Sequence, residues 1–572
     1  MKLTCSRSKN SCTYYVQKSV RIGNKTTTKP VERLGSIEEI KARCGSQDPL
    51  EWAKDYTKKL TLAEKESKQG ILLKYSASMI IDKDARRSCN VGYLFLQDIY
   101  YSLGLDKICA AISDKFKFEF NLNEILAMLV YSRILAPGSK KSSLEESQNF
   151  LKQPACELHQ VYKALEILAK ENDYFQAELY KNSQDVIERK KEILYYDCTN
   201  YYFEIEEEDD FRKYGVSKEH RPNPVVQMGL FMDADGIPLS FSTFEGNQNE
   251  QPSMTPLEKK IIKDFDTSEF IVCTDAGLSS TANRKFNSIS GRGFVTTQSI
   301  KKLKGFLQDF CLDDDGWYIP GNKKKYKISE LNEESDYDKV FYKDRWINED
   351  GLEQHLIITF SIKYHNYQQT IRNRQIDRAN KLIEKPSSLS KKKANDPKRF
   401  IEQGYCTPDG EVASKTITSL NQQQIDNESK YDGFYAVCTN LDCNVSRIIN
   451  INQKRWEIEE CFRIMKTEFK ARPVYLSRKD RITAHFTTCF TALVIYRILE
   501  KRLHEKYTCE EIISTLKSMN MMIAPGEGYI PTYTRTDLTD ELHNSFGFRT
   551  DYQITSQKNM RKILNQTQKK KK

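Results

Sequence analysis

The chain has 572 residues, of which 39% are hydrophobic, so it is long enough to form several domains with buried cores. Its 89 Lys and Arg against 79 Asp and Glu give a formal charge of +10, a modest excess that does not by itself identify a partner. The polar residues after Met1 and the shortness of the apolar segment 486–496 argue against a secretory leader and a membrane span, so we expect a cytoplasmic protein without a membrane partner.

The N-terminal third is predicted to be a hairpin followed by helices. Residues 13–20 and 27–34 alternate like paired strands, and residues 37–60 have a helical pattern. Residues 91–136 predict two or three helices with a break near 116–122, and residues 159–182 predict another helix. We therefore expect an N-terminal segment over 1–80 and a helical region over 81–190.

The next segment has the element order of a ribonuclease-H-like core. Residues 193–200 form a β-branched and aromatic strand that contains Asp197. Two strands, 225–232 and 237–244, flank a hairpin turn, and a helix over 256–265 leads into a strand that stops at Asp275. A helix over 279–289 and a strand over 294–297 follow. In this order, an Asp on the first strand meets an Asp at the end of the fourth, and a later helix can add a third carboxylate.

A long insertion separates Asp275 from the next informative helix. The 184 residues between Asp275 and Glu459 (459 minus 275) exceed what the core needs, so we expect a β-rich insertion domain over 299–431. Within it, 337–342 and 354–364 alternate like strands, 367–384 is a charged helix and 386–393 is a loop. Residues 371–400 carry ten Lys or Arg against three Asp or Glu. Such a run is often a solvated surface, but in a DNA-processing protein it favours phosphate contacts.

The helix over 455–469 carries one carboxylate among three cations. At about 100° per residue, Arg455, Glu459, Arg463 and Lys466 fall within an arc of roughly 80°, beside an apolar stripe. Taken alone, the segment favours an ordinary amphipathic helix with i,i+4 ion pairs. The core is predicted to resume over 432–505, with a strand over 432–437, and a C-terminal region covers 506–572.

Fifteen Cys are scattered without a CxxC pair, and only seven His accompany them. This distribution favours reduced thiols over zinc sites or disulfides.

Six motifs in this order resemble the bacterial insertion-sequence transposases of the DDE type that carry a long insertion before the final Glu. They are Tyr196-Asp197-Cys198-Thr199-Asn200, Tyr214-Gly215-Val216-Ser217-Lys218, Gly236-Ile237-Pro238-Leu239, Gly246-Asn247-Gln248-Asn249-Glu250, Thr274-Asp275-Ala276-Gly277 and Arg455-Trp456-Glu457-Ile458-Glu459 with Arg463 and Lys466. The chain departs from the group where Asn452 replaces a Tyr.

The resemblance implies a DNA transposition enzyme with two Mg²⁺ or Mn²⁺ ions in each active site. Asp197 would bridge both ions, Asp275 would hold one and Glu459 the other. DNA would be contacted by the following residues: Arg455, Arg463, Lys466, Lys218, Arg221, Trp346, Lys391, Lys392 and Lys393. Asn200 and Asn247 would orient water or a carboxylate.

The expected partners are the terminal inverted repeats of an element, bound through the helical region, and target DNA, with a homodimer bringing two ends together at the nucleoid. A nuclease of the same fold without strand transfer, or a domesticated DNA-binding protein, are the alternatives.

Overall fold

The computed structural model describes residues 1–8, 11–22, 25–45, 47–66, 80, 82–384, 396–406, 412–524 and 527–569. These residues form two compact units, Met1–Ala85 and Arg86–Lys572.

The first unit is a three-stranded antiparallel sheet with two helices. Its elements are β1 (Lys2–Ser8), β2 (Ser11–Ile22), β3 (Lys25–Gly35), α1 (Ile37–Cys44) and α2 (Pro49–Glu66). The β2–β3 hairpin and the two helices confirm the predicted elements, while β1 was not predicted. Cys5 and Cys12 form a disulfide between β1 and β2, so the expectation that all thiols are reduced is wrong for this pair. Antiparallel pairing places their Cα atoms 6.4 Å apart, within the range that a disulfide spans.

The second unit opens with a short strand and a helical region. The elements are β4 (Ser88–Asn90), α3 (Tyr93–Ser102), α4 (Leu105–Lys115), α5 (Leu122–Leu135), α6 (Lys140–Glu146), α7 (Leu158–Lys170) and α8 (Asn172–Ser183). The break predicted near 116–122 separates α4 from α5, and the single helix predicted over 159–182 is divided between α7 and α8.

An eight-stranded mixed sheet follows, and it contains the predicted catalytic core. Its first part comprises β5 (Ile193–Tyr202), β6 (Val225–Asp233), β7 (Pro238–Glu245), α9 (Met254–Asp264), β8 (Ile271–Thr274), α10 (Thr281–Phe286) and β9 (Gly293–Gln298). Strands β5, β6 and β7 pair antiparallel, whereas β8 pairs parallel with both β5 and β9. This order is the ribonuclease-H-like arrangement that the sequence predicts, so the fold is α/β.

The region predicted as an insertion also contributes to this sheet. It contains α11 (Gly305–Leu312), β10 (Phe341–Glu349), β11 (Leu352–Phe360), α12 (Ile362–Ile383), β12 (Ile401–Cys406), β13 (Val412–Leu420) and α13 (Gln422–Ser429), and leads into β14 (Phe434–Thr439). The full strand order is β10-β11-β14-β9-β8-β5-β6-β7, so the β10–β11 hairpin extends the core sheet. The strands predicted over 337–342 and 354–364 are shifted, because the first starts at Phe341 and the second gives way to α12.

The C-terminal part returns to the core. It comprises α14 (Val445–Gln453), α15 (Trp456–Arg463), a π-helical segment (Ile464–Glu468), α16 (Lys479–Arg502), α17 (Cys509–Ser518), β15 (Asn520–Ala524), β16 (Gly528–Pro531), α18 (Asp537–Phe546) and α19 (Gln557–Thr567). Among the described residues, α16 alone is long and apolar enough to cross a membrane, but it is 94% buried inside the protein, against α3, α5 and α7. This confirms the prediction that 486–496 belongs to a buried core helix.

Candidate active site

Two aspartates stand side by side on neighbouring parallel strands: Asp197 lies in the middle of β5, just past its pairing with β8, and Asp275 directly follows β8. Tyr195 of β5 pairs with Cys273 of β8, an offset of 78 residues, which is also the separation of Asp197 and Asp275. Each aspartate lies two residues beyond one of these paired positions. The Oδ1 atom of Asp197 accepts from the Cys198 amide at 2.7 Å, and that of Asp275 accepts from the Leu278 amide at 3.0 Å. The strand register therefore brings the two predicted carboxylates together.

The electrostatics at Asp197 favour a bound cation. Burial raises the pKa of Asp197 to about 6, the charge of Asp275 adds to this rise, and the charges of Lys218 and Arg455 oppose it. Burial also raises the pKa of the nearby Glu250 carboxyl, and Asp275 again contributes. The charge of Asp275 thus acts on both Asp197 and Glu250, and a cation would relieve this repulsion.

Glu250 belongs to this cluster but was not among the predicted site residues. It follows β7 and lies 3.7 Å from the Lys218 ammonium. The sequence did carry a signal, because Glu250 closes the Gly246-Asn247-Gln248-Asn249-Glu250 motif. Its proximity to Asp275 depends on the loop after β7, which sequence periodicity does not describe.

Glu459 occupies the first turn of α15 and is held by Arg455. The Arg455 Nη1 atom lies 3.3 Å from Glu459 Oε1, and the Glu459 side chain is 59% exposed. The charge of Arg455 acts on both Asp197 and Glu459. Arg455 therefore connects the third predicted carboxylate electrostatically to the pair on the sheet.

The cations that follow Glu459 do not share one face. Arg463 lies 2.6 Å from Glu460 and 3.5 Å from Glu468, whereas the Lys466 ammonium reaches back to β5 and donates to Thr199 Oγ1 at 2.5 Å. The regular α-helical phase used in the prediction is lost because the chain becomes π-helical at Ile464. The single cationic arc is therefore wrong for Lys466, whereas Arg463 precedes the change of helix type and is held by the two glutamates.

Lys466 is a buried cation of the site. Its side chain is 14% exposed, burial lowers the pKa of Lys466 to about 8, and the charge of Lys218 lowers it further while Asp197 opposes this. Lys466 and Lys218 therefore place two positive charges near Asp197.

The loop after β5 positions Lys218. The Asn200 side chain is buried, donates to Val216 O at 2.8 Å and accepts from the Lys218 amide at 3.3 Å. The Lys218 ammonium also donates to the Cys198 carbonyl. Arg221 stacks over the Tyr202 ring at 4.2 Å and remains half exposed. Asn200 thus supports the loop backbone that carries Lys218.

The remaining predicted site residues are more scattered. Asn247 is exposed in the loop after β7. Trp346 lies on β10, 42% exposed, with its ring stacked on His355 at 5.0 Å, while Trp317 is fully buried in the core. Lys391, Lys392 and Lys393 lie outside the described residues.

A cleft opens next to Asp275. A cavity of about 530 Å³ is bounded by Ala276, the end of β9, and helix α12 with the exposed ring of Tyr367. The cleft is large enough to admit a nucleotide-sized group at Ala276, the residue that follows Asp275.

The donor chemistry of the site suits a hard divalent ion, since the converging side chains are carboxylates. Within the described residues, no three Asp, Glu, His or Cys side chains are gathered closely enough to hold an ion. Asp197 and Asp275 are adjacent, while Glu459 is paired with Arg455. The chemistry of Asp197 and Asp275 therefore suits a metal, while Glu459, predicted as the third ligand, is turned to its arginine partner.

Comparison with known proteins assigns the fold to a family. Residues 189–495, more than half of the chain, match the family described as "Transposase DDE domain". The chain belongs to this transposase family.

Among solved structures, the chain is similar to a piggyBac transposase synaptic complex with hairpin DNA. The identity is 10% and the TM-score 0.34, over 76% of this chain and 82% of that one. No curated protein sequence matches the chain. The matched range 189–495 runs from just before β5 to within α16 and includes Asp197, Asp275 and Glu459.

Proposed function

We propose that this transposase cuts DNA at the ends of its own element and joins the released ends to a target, using divalent metal ions. The observation that carries the proposal is the position of Asp197, within β5, and of Asp275, at the end of β8, on neighbouring parallel strands within the family range. Burial, with a smaller contribution from the charge of Asp275, raises the pKa of Asp197, and a bound cation would offset both effects.

The metal ligands in this proposal are Asp197, Asp275 and Glu459. Bound Mg²⁺ or Mn²⁺, as a pair of ions, would supply charge stabilisation at the attacking and leaving oxygens of an in-line phosphoryl displacement. Without metal, Glu459 contacts Arg455, which orients the carboxylate. If the carboxylate bound metal, Arg455 would be free to contact a phosphate.

Lys218 and Lys466 complete the site. Their ammonium groups lie near Asp197. Lys218 comes from the loop after β5, and Lys466 comes from the π-helical segment. A DNA phosphate at Asp197 would bring negative charge next to both lysines, and would favour the charged form of Lys466. We propose that these lysines hold the strand to be cut.

DNA is therefore the proposed substrate, with a homodimer joining two ends in one complex. We also propose that the exposed Trp346 ring stacks on a base near the cut. A nuclease of the same fold would use the same residues and differ in its nucleophile, water in place of a 3′ hydroxyl.

The test is incubation of the purified protein with DNA from both boundaries of its gene, Mg²⁺ and a target plasmid. Cleavage at the element ends and their insertion into the plasmid are expected. Cleavage without joined products would favour the nuclease. An Asp197→Asn variant, which keeps side-chain size but loses the charge, is the matched control and should give neither product.

A further inference from the structure

A second basic cavity lies away from the aspartates. It has a volume of about 280 Å³ and is lined by Arg133 at the end of α5, Lys140 at the start of α6, Lys470 and Arg472 after the π-helical segment, and His485 of α16. None of the described residues that line it is Asp or Glu. The described residues that line the cavity therefore carry positive charges and no carboxylate.

Two of these cations are almost fully buried. Arg133 is 3% exposed and Lys140 is 4% exposed. Arg133 is fixed by donating to Phe469 O at 3.1 Å and to Gly138 O at 3.0 Å. The Lys140 ammonium lies 3.4 Å from His485 Nδ1. Both cations are held by neutral acceptors.

The partner of Lys140 is a neutral ring. His485 Nε2 lies 3.1 Å from the Ala471 carbonyl and donates to it, which leaves Nδ1 as the acceptor for Lys140. Burial holds the pKa of His485 well below its ordinary range, and the charges of Lys140 and Arg133 lower it further. The same burial, together with Arg133, lowers the pKa of Lys140 to about 7.

An enclosed group of cations costs free energy unless an anion enters. A phosphate group fits this site, because it offers several acceptor oxygens to Lys and Arg donors and is far smaller than the cavity. A chain of ion pairs also links a wall of the cavity to the proposed active site. Arg472 pairs with Glu219, and Glu219 lies 4.0 Å from the ammonium of Lys466, which donates to β5. A strand held near Asp197 and Lys466 would therefore have a neighbouring phosphate within the influence of these cations.

We propose that this cavity binds a backbone phosphate of the DNA strand held in the active site, with Lys140 as a phosphate-binding residue. The inference rests on the proposed function for the identity of the phosphate donor. The cationic cavity itself is independent of it. Phosphate in the cavity would give the Lys140 ammonium a charged partner in place of the neutral His485 ring.

The test compares Lys140→Met with Lys141→Met. The control changes the same residue type on the same helix, but the Lys141 side chain is 70% exposed and pairs at 3.9 Å with Glu145. Removing the Lys140 charge should leave the fold intact, since Met keeps the volume and no carboxylate loses a partner. Both variants are made in the full chain.

The first measurement uses inorganic phosphate as the probe, with EDTA present so that the aspartates hold no metal. Phosphate, compared with chloride at equal ionic strength, should raise the unfolding temperature of the wild type and of Lys141→Met but not that of Lys140→Met. Equal shifts in all three proteins would overturn the assignment of the cavity.

The second measurement is affinity for duplex DNA from the element boundary at several salt concentrations. Lys140→Met should bind roughly tenfold more weakly, and the slope of log K against log salt should fall by about 0.9, the value for one phosphate contact. Lys141→Met should match the wild type in both. An unchanged slope for Lys140→Met would refute the DNA contact. If phosphate binding is lost in Lys140→Met while the wild type fails to cut DNA, the cavity stands and the proposed function falls.

Discussion

Replacing Asp197 by Asn should abolish DNA cleavage and at the same time stabilise the metal-free protein. Burial raises the pKa of Asp197 from 3.8 to about 6, a rise to which Asp275 adds. The folded state thus prefers the neutral acid, while the unfolded chain ionises above pH 3.8. Stability from this group is greatest at low pH and is lost as pH rises from about 4 to about 6. Asn mimics the neutral acid at every pH.

The magnitude follows from the shift of about two pKa units. At about 1.4 kcal/mol per unit, Asp197→Asn should gain about 3 kcal/mol of unfolding free energy at pH 8, and about 1 kcal/mol at pH 4.5, where the folded-state carboxyl is already protonated. The assay is urea unfolding in EDTA at both pH values. A variant that is no more stable than the wild type at pH 8, or whose advantage does not shrink at pH 4.5, would refute the electrostatic account of this site.

Three further outcomes are expected. Glu459→Ala should lose cleavage but keep binding of end DNA, whereas Glu460→Ala should keep most cleavage because Glu460 pairs with Arg463. Cleavage and binding assays on both variants test this. The reverse pattern would show that Glu460, and not Glu459, is the metal ligand. Substituting the three lysines at 391–393 by Gln should weaken DNA binding across sequences and reduce its salt dependence, measured as affinity at several salt concentrations with a scrambled duplex as control. An unchanged slope of log affinity against log salt would show that these lysines belong to a solvated surface. Arg497→Met should destabilise the protein by about 3–5 kcal/mol in urea unfolding, because the buried Arg497 guanidinium pairs with Glu457 and Glu500, and a neutral result would show that these carboxylates find other partners.

The local sequence pattern was sufficient to predict most of the helices and strands. The hairpin over β6 and β7 and the strands that carry Asp197 and Asp275 have periodicities and turn residues that specify them within a few residues, whereas the buried helix α16 extends well beyond the predicted segment 486–496 at both ends. The two aspartates could be placed together from sequence because the order of the core elements makes their strands neighbours. For this reason the fold class and the first two candidate ligands were accessible without coordinates.

Where the chain departs from regular geometry, sequence reasoning failed. The α-helical phase assigned to Lys466 is broken by the π-helical segment, and its ammonium donates to Thr199, whereas Arg463 precedes that segment and pairs with Glu460. No periodicity test detects a change of helix type that tertiary packing imposes.

The sequence by itself determined the order of strands and helices, and with it the identity of the two aspartates on the neighbouring strands β5 and β8. Only the tertiary structure decided which distant groups share one environment. The Glu250 carboxyl joins the aspartates through a loop, and the basic cavity brings together Arg133, Lys140 and His485, which are up to 352 residues apart (485 minus 133). Electrostatic coupling and burial depend on separation in space, and that separation is set by the packing of the whole core rather than by neighbours along the chain.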